Sequence, residues 1–245
     1  MKKYFVFLVA VLFFLDCRSI TRTAPEDKNE KNTVVLSFDD GPNSNGNTTE
    51  RLLDVLKKHN IRAMFSVIGI NAEKNPELIL RIYNEGHIII NHGYSEKWAL
   101  YMKEEEFLEN LLEGERAIME ALGKDPWDSM TAKLYRPHGG FYKEGHEIIL
   151  RERGWTIVNG NIRAWDASGG ADKKEKVFKM IMRKTRKNNG GIILLHDGKN
   201  SYSRMEAQLE KNPSGSYNRS WIPELTEEII KSLVSEGYVF IIPRY

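Results

Sequence analysis

The alternation of two kinds of segment constrains the fold of this chain more than any other feature of its sequence. Short apolar runs typical of strands alternate with longer stretches whose apolar residues recur at helical spacing. The strand candidates are Thr33–Phe38, Ala63–Ile68, His87–Asn91, Leu134–Arg136, Trp155–Asn159, Gly191–His196 and Tyr238–Ile242. Helices are predicted after an Asn47/Glu50 capping box, after Asn75-Pro76, and at Glu104–Leu122, Gly145–Arg153, Lys173–Asn189 and Glu224–Glu236. This order predicts right-handed βαβ units around a parallel sheet.

Polar residues at the strand ends distinguish two arrangements of such a sheet, an imperfect (β/α) barrel and a doubly wound open sheet. They are Asp39, Asp40, His92, Arg136, Trp165, Asp166 and His196, and all lie at or after the carboxyl end of a predicted strand. In a barrel these ends meet at one mouth, whereas an open sheet brings together only those beside its switch point. The pattern favours an α/β barrel formed as a single domain by residues 33–245. The segment from Gly198 to Trp221 has no clear period and is predicted to be an inserted loop near the site.

The amino-terminal segment has the features of an export signal. Met1-Lys2-Lys3 precedes an apolar run, Tyr4 to Leu15, that is too short to span a bilayer easily. Cys17 follows directly, which suggests a lipoprotein, although Leu15-Asp16 lacks the small residues of a typical lipid-attachment site. We expect residues 1–17 to be a signal peptide or lipoprotein signal and residues 18–32 a tether; an uncleaved anchor and ordinary cleavage are the alternatives to lipidation at Cys17. The protein is then exported to the cell envelope, the periplasm or the outside of the cell.

Composition narrows the choice of partners. The 245 residues are 41% hydrophobic, enough for one substantial core, and the formal net charge is only +2. This balance gives no electrostatic argument for nucleic acid. The single cysteine excludes an intramolecular disulfide and a cysteine metal cluster. We expect a monomer that contacts membrane only through its N-terminal lipid or anchor.

Two adjacent carboxylates end the first predicted strand. Asp39 and Asp40 are followed by the turn formers Gly41 and Pro42. A divalent metal on one carboxylate and a proton-transfer role for the other would relieve their repulsion. A solvated acidic turn is the alternative.

The segment Asn91-His92-Gly93-Tyr94-Ser95-Glu96 supplies further possible ligands. On a helical turn, His92 and Glu96 would share one face because they are four residues apart. With Asp40 they would give three ligands to a divalent ion and leave a position open for water and substrate. The alternative is an ordinary helix turn with Glu96 in solvent.

Two later strand ends carry candidate catalytic groups. Arg136 precedes a glycine-rich bend, Pro137-His138-Gly139-Gly140, whose N–H groups could hold an oxyanion. Arg136 could keep Asp39 ionised as a base, or form an ordinary ion pair. His196 ends a buried strand run, where it could act as a general acid or be a structural histidine.

Four segments in this order, SFDDGP, NHGYSE, RPHGG and ILLHDG, resemble the motifs of the polysaccharide deacetylases of carbohydrate esterase family four, which include chitooligosaccharide deacetylases. The resemblance covers about residues 33–245. It implies a distorted (β/α)7 barrel in which a metal-activated water removes an N- or O-acetyl group from a sugar. It also implies site roles: Asp39 as base, Asp40 and His92 as metal ligands, Arg136 as support of Asp39, Gly139 as oxyanion amide, Leu194 as a wall of the acetyl pocket, and His196 as acid.

The chain departs from the family pattern at three places. Glu96 replaces a second histidine, so an Asp-His-Glu set is expected, which favours harder metals more than two imidazoles do; zinc remains the first expectation, with cobalt, nickel or manganese as alternatives. Gly139 replaces the usual aromatic residue of the third motif, and His138 precedes it where proline is common. The fourth motif reads Ala164-Trp165-Asp166 where Asp-Trp is usual, so Asp166 is expected to approach His196 and replace the missing carboxylate, and Trp165 is expected to contact substrate.

Three functional hypotheses follow. The first is a metal-dependent hydrolase that removes acetyl groups, foremost N-acetyl groups, from a carbohydrate polymer or oligosaccharide. The second is a catalytically impaired carbohydrate-binding protein on the same barrel, and the third is a metal-dependent hydrolase of another acylated substrate. Because Asp39, Arg136 and His196 are retained, the first is favoured, while nothing in the sequence identifies the glycan.

Overall fold

The computed structural model describes residues 17–19, 32–130, 132–199 and 202–245. Its strands are β1 (Cys17–Ser19), β2 (Thr33–Gly41), β3 (Met64–Val67), β4 (Ile88–Asn91), β5 (Lys133–Tyr135), β6 (Phe141–Lys143), β7 (Trp155–Ile157), β8 (Ile162–Arg163), β9 (Gly190–His196) and β10 (Val239–Phe240). Its α-helices are α1 (Thr48–Lys58), α2 (Gly69–Lys74), α3 (Pro76–Asn84), α4 (Glu104–Leu122), α5 (Lys124–Asp128), α6 (Glu144–Glu152), α7 (Lys174–Asn188), α8 (Tyr202–Lys211) and α9 (Ile222–Ser235).

Eight parallel strands form one curled sheet. Seven of them run in the order β7-β5-β4-β3-β2-β9-β8, and β10 pairs with the first residues of β2. The two ends of this row, β7 and β8, follow each other along the chain and are separated only by residues 158–161. A connection this short holds the two edges of the sheet near each other, so the sheet curls into an incomplete barrel. The predicted single-domain α/β fold, a distorted (β/α)7 barrel, is confirmed.

Alternation along the strands separates the inside of the barrel from the helix layer. On β2, Leu36 and Phe38 pack in the large cluster under the helices, whereas Val35 packs in a second cluster. This second cluster fills the barrel interior with one layer of apolar side chains that come from five strands and from the residue directly after β7: Val35, Met64, Ile90, Leu134, Ile192 and Val158. Ile241, Ile242 and Tyr245 of the C-terminal segment pack against it. The amino half of the barrel is therefore closed by apolar contacts, and polar side chains are left at the carboxyl ends.

Several local predictions differ from the structure. Helix α4 has the predicted bounds, but α2 and α5 were not expected, and α8 lies within the predicted irregular segment from Gly198 to Trp221. The capping box at Asn47 is wrong: this residue has left-handed φ and ψ of 50° and 38°, and its side chain makes no capping hydrogen bond. Strands β6 and β8 were not predicted either, because they are only three and two residues long and therefore too short to give a periodic signal.

Most of the amino-terminal prediction lies outside the described residues. The signal segment 1–17 and the tether 18–32 are described only at Cys17–Ser19, which pairs antiparallel with β6, and at Asn32. Among the helices of the described ranges, none combines the length and apolar character that crossing a membrane requires. Export and lipidation stay predictions.

Candidate active site

A cavity of about 420 Å³ opens at the carboxyl ends of the barrel strands. This is the edge where the sequence placed its candidate groups. The cavity is lined by these predicted site residues: Asp39, Asp40, His92, Arg136, Gly139, Trp165, Asp166, Leu194 and His196. Of the predicted set, only Glu96 is missing from the lining.

The end of β2 presents both carboxylates to this cavity. Neighbouring residues of a strand ordinarily point to opposite faces. Here the pairing of β2 with β3 shifts register between Asp39 and Gly41, and Asp40 has a left-handed φ of 71°. The local bulge re-aims one side chain, which allows consecutive residues to reach the same site.

Asp39 forms a buried ion pair with Arg136, as the sequence suggested. Arg136 Nη1 donates to Asp39 Oδ1 and to the Ser37 hydroxyl at 2.7 Å. Arg136 Nε donates to the carbonyl of Val158 at 3.0 Å. The guanidinium is therefore fixed inside the barrel and stabilises Asp39 as a carboxylate.

Asp40 meets two imidazoles. Its Oδ1 atom lies 3.3 Å from His92 Nε2 and 3.4 Å from His138 Nδ1. His92 Nδ1 lies 2.7 Å from the carbonyl oxygen of Arg136, which can only accept, so Nδ1 carries the hydrogen. In the neutral ring, the lone pair of Nε2 then faces Asp40. Buried His138 Nδ1 has no hydrogen-bond partner among the described residues. Three electron-pair donors thus converge, which is the arrangement of a metal site.

The charges of these groups fit a divalent ion. Burial opposes ionisation of Asp40, but the neighbouring His138 and His92 outweigh it and hold the pKa of its carboxyl well below the ordinary value. Burial lowers the pKa of His138 to about 4, so its ring is neutral near pH 7, the form that binds metal. One carboxylate and two imidazoles form a donor set that suits a divalent transition metal.

The predicted third ligand, Glu96, is not part of this group. Gly93 has a φ of 86°, and the chain makes no helical turn until residues 99–101, so the four-residue spacing does not place His92 and Glu96 on one face. The Glu96 carboxylate instead accepts a hydrogen bond at 3.3 Å from Arg204 of α8. The helical turn assumed for Glu96 is therefore wrong, and His138 is the residue that converges with Asp40 and His92. In the sequence, His138 stood out only as a histidine in the bend after β5.

His196 and Asp166 form the second polar pair of the cavity. Asp166 Oδ1 lies 3.0 Å from His196 Nδ1, and Asp166 Oδ2 accepts the backbone N–H of His196 at 2.9 Å. The expected approach of these residues is confirmed. A left-handed Trp165, with φ 59° and ψ 31°, turns the chain so that Asp166 faces β9. Burial disfavours charge on His196, but Asp166 overcomes this and raises the pKa of the imidazole to about 9.

The remaining predicted residues border the cavity. Leu194 is buried in its wall, whereas Trp165 is 73% exposed at its rim. Gly139 has a φ of 78° and lies under the indole of Trp98, a cavity residue that the sequence did not reveal. Arg219 was also missed: it is buried behind Asp166, and its Nη2 atom donates to Asp166 Oδ2 at 2.6 Å.

Comparison with known proteins agrees with this site. The family profile described as polysaccharide deacetylase matches residues 26–158. A peptidoglycan-N-acetylglucosamine deacetylase of Bacillus cereus is 29% identical over 190 residues, which cover 76% of this chain and 82% of that protein. The chain spans only about half the length of other B. cereus relatives with the same description.

Solved structures show the same fold. The crystal structure of the Bc1960 peptidoglycan N-acetylglucosamine deacetylase superposes with a TM-score of 0.66 at 28% identity, covering 86% of each chain. The structure of a family 4 acetyl xylan esterase from Clostridium thermocellum, in complex with a cobalt ion, superposes with a TM-score of 0.65 at 27% identity. The match covers 85% of this chain and 87% of that one. Fold, site and family profile agree: the chain belongs to the polysaccharide deacetylase family.

Proposed function

We propose that this chain hydrolyses the N-acetyl groups of amino-sugar units in a cell-wall glycan of the peptidoglycan type. One observation carries the proposal. An ionised carboxylate and two imidazole nitrogens converge between an Asp–Arg pair and an Asp–His pair in a single cavity. The nature of the glycan rests on the B. cereus relative described as a peptidoglycan-N-acetylglucosamine deacetylase.

Asp40, His92 and His138 would hold one divalent metal ion. Bound there, the ion supplies Lewis-acid chemistry, polarising an acetyl carbonyl and making water more acidic. Two imidazoles and one carboxylate replace the expected Asp-His-Glu set, which makes zinc the first candidate, with cobalt, nickel or manganese as alternatives.

Each of the two polar pairs, Asp39–Arg136 and Asp166–His196, carries out one proton transfer. Asp39, kept as a carboxylate by Arg136, accepts the proton of the attacking water. His196 is largely protonated at neutral pH because its pKa is about 9, so its Nε2 can donate a proton to the leaving amine. Asp166 holds the other ring nitrogen and fixes the orientation of the imidazole.

The cavity wall supports a role in binding the acetylated sugar. Leu194 offers an apolar surface for the acetyl methyl group, and the exposed ring of Trp165 offers an aromatic surface at the rim. The backbone amide of Gly139 is proposed to stabilise the oxyanion. A cell-wall substrate also fits the proposed export of the protein, whether it is then lipid-anchored at Cys17, held by an uncleaved anchor or released by ordinary cleavage. We propose that it acts as a monomer.

The decisive experiment is acetate release from a panel of glycans. Chelator-treated protein is supplied in turn with zinc, cobalt, nickel or manganese and given peptidoglycan, chitooligosaccharides or acetylated xylan. We expect metal-dependent acetate release from the amino-sugar substrates, and almost none from Asp39→Asn. Release from xylan alone would overturn the N-acetyl proposal. Tight glycan binding without acetate release under any metal would favour the carbohydrate-binding alternative.

A further inference from the structure

We propose that Arg219 is a positioning residue for the Asp166–His196 pair, which fixes the carboxylate against the imidazole and limits the proton affinity of the pair. The general-acid part of this inference rests on the proposed function, whereas the effect on His196 itself does not. Arg219 lies at the end of the segment between α8 and α9, far along the chain from Asp166.

Every N–H group of the Arg219 guanidinium donates a hydrogen bond. Arginine has five N–H donors in a planar fork, and each finds an acceptor here. Nε donates to the His196 carbonyl at 3.1 Å, and Nη2 donates to the same carbonyl at 3.1 Å and to Asp166 Oδ2 at 2.6 Å. Nη1 donates to the carbonyls of Asp166 at 2.9 Å and Gly169 at 3.3 Å. Four of the five bonds therefore go to the two members of the pair.

This network leaves the Asp166 carboxylate one orientation. Its Oδ1 faces His196 Nδ1, while its Oδ2 accepts from both Arg219 and the His196 backbone. Rotation of the carboxylate would break bonds on both oxygens. The ring of Trp221 lies 5.0 Å from the guanidinium carbon and helps to exclude water. The guanidinium is fully buried, so the strength of these charge-assisted bonds is not lost to solvent.

Arg219 also acts through its charge. A positive charge beside the pair opposes a second one on the imidazole, so removing it raises the affinity of the pair for a proton. Asp39 and Asp40 on β2, His138 after β5, and Asp197 and Lys199 after β9 also act on the pair, on Arg219 or on their surroundings. All five remain in place in variants of Arg219, so the variants differ from the wild type only at residue 219.

Two substitutions separate charge from geometry. Arg219→Met removes the charge and the fork, whereas Arg219→Lys keeps the charge but offers only three donors from one atom. In the metal-loaded full chain, we expect Arg219→Met to raise the pKa of His196 by about 1, as loss of a nearby charge does. The basic limb of the pH–rate profile should move upward with it. Arg219→Lys should leave that limb close to its wild-type position. Both should lower kcat by about 10- to 100-fold with little change in KM, since Arg219 is not in the cavity lining.

The pKa of His196 is read by NMR from isotope-labelled histidine, with His196→Ala to assign the signal. Arg186→Met is the matched control, because it breaks an exposed arginine–glutamate pair on α7 with Glu236. It should leave the His196 pKa unchanged. If Arg219→Met lowers stability but leaves the His196 pKa and the basic limb at their wild-type values, Arg219 is only structural and the inference is wrong.

A double variant covers the case in which Arg219→Met does not fold. Asp166→Asn/Arg219→Met removes both charges of the buried pair, so it should unfold at a higher denaturant concentration than Arg219→Met. Its His196 pKa should fall below that of the wild type, because the carboxylate is gone. A double variant no more stable than Arg219→Met would contradict the coupling. If wild-type protein releases no acetate, the proposed function fails, while the NMR titration still tests Arg219.

Discussion

The indole of Trp98 occupies the space above Gly139. A Cβ atom built on Gly139 would lie 2.5 Å from Trp98 Cδ2, in the body of the ring. The third motif has a glycine where an aromatic residue is usual, and Trp98, from the segment after β4, returns an aromatic surface to the same part of the cavity. Trp98 in turn stacks on Tyr101, with ring centroids 6.0 Å apart and planes inclined by 17°.

Gly139→Ala is therefore expected to destabilise the protein in two ways. The left-handed φ of 78° costs an alanine about 1–2 kcal/mol, and the contact with Trp98 adds an overpacking cost of about 1–3 kcal/mol. Gly154→Ala is the matched control, because Gly154 has a φ of 72° but no atom of the described residues within 4 Å of its Cβ position. Urea denaturation should show a larger loss for Gly139→Ala. In a Trp98→Ala background, Gly139→Ala and Gly154→Ala should lower the free energy of unfolding by similar amounts. If Gly139→Ala remained the more destabilising by the same margin, contact with Trp98 would not be the cause.

The metal ligands make a second prediction. His138→Ala removes a converging donor, so metal affinity should fall by more than the roughly 10- to 100-fold that loss of an outer-sphere contact costs. Glu96→Ala should leave it nearly unchanged, because Glu96 contacts Arg204. Competition with a chromophoric chelator measures both affinities for zinc and cobalt. If Glu96→Ala lowered metal affinity more than His138→Ala did, the Asp-His-Glu ligand set expected from the sequence would be the correct one.

The contrast between Glu96 and His138 shows what the sequence could not decide. Residues at or directly after the carboxyl ends of strands, such as Asp40, Arg136 and His196, lie in the cavity as predicted, because parallel strands fix where their carboxyl ends meet. Ligands on loops depend on backbone angles that spacing does not reveal, and the left-handed Gly93 removed the helical turn assumed for Glu96.

Arg219 shows a related difficulty. It lies 23 residues beyond His196 in a segment without periodicity, and its role appears only when α8 and the turn after it fold back on the site. Helix α4, in contrast, was predicted to the residue, because acidic residues begin it and Gly123 ends it.

A third prediction concerns the acid and base. His196→Ala and Asp39→Asn should each lower turnover by about 10²–10⁴-fold. His196 is outside the converging ligand group, so His196→Ala should retain metal in full. Asp39→Asn leaves Arg136 buried without its counter-charge, so it should also lower the urea midpoint. Turnover and metal content measured on the same preparations separate these effects, and activity that survives both substitutions would refute the assigned roles.

The last prediction concerns Asp197, a fully buried carboxyl group directly after His196. Its Oδ2 accepts from the Thr49 hydroxyl, while its Oδ1 has no hydrogen-bond partner among the described residues. Burial raises the pKa of this carboxyl to about 7 from an ordinary value of 3.8. Between these two pH values the folded protein keeps the proton and the unfolded chain loses it.

The free energy of unfolding should therefore fall, on account of Asp197, as the pH rises from about 4 to 7, by at most about 1.4 kcal/mol per pH unit, and then level off. Asp197→Asn cannot ionise, so its stability relative to the wild type should improve over the same window. Urea denaturation of chelator-treated protein at each pH measures the difference, with Asp172→Asn, which removes an exposed carboxylate, as control. Parallel stability curves for wild type and Asp197→Asn would mean that Asp197 is ionised throughout, with a partner for Oδ1 that offsets its burial.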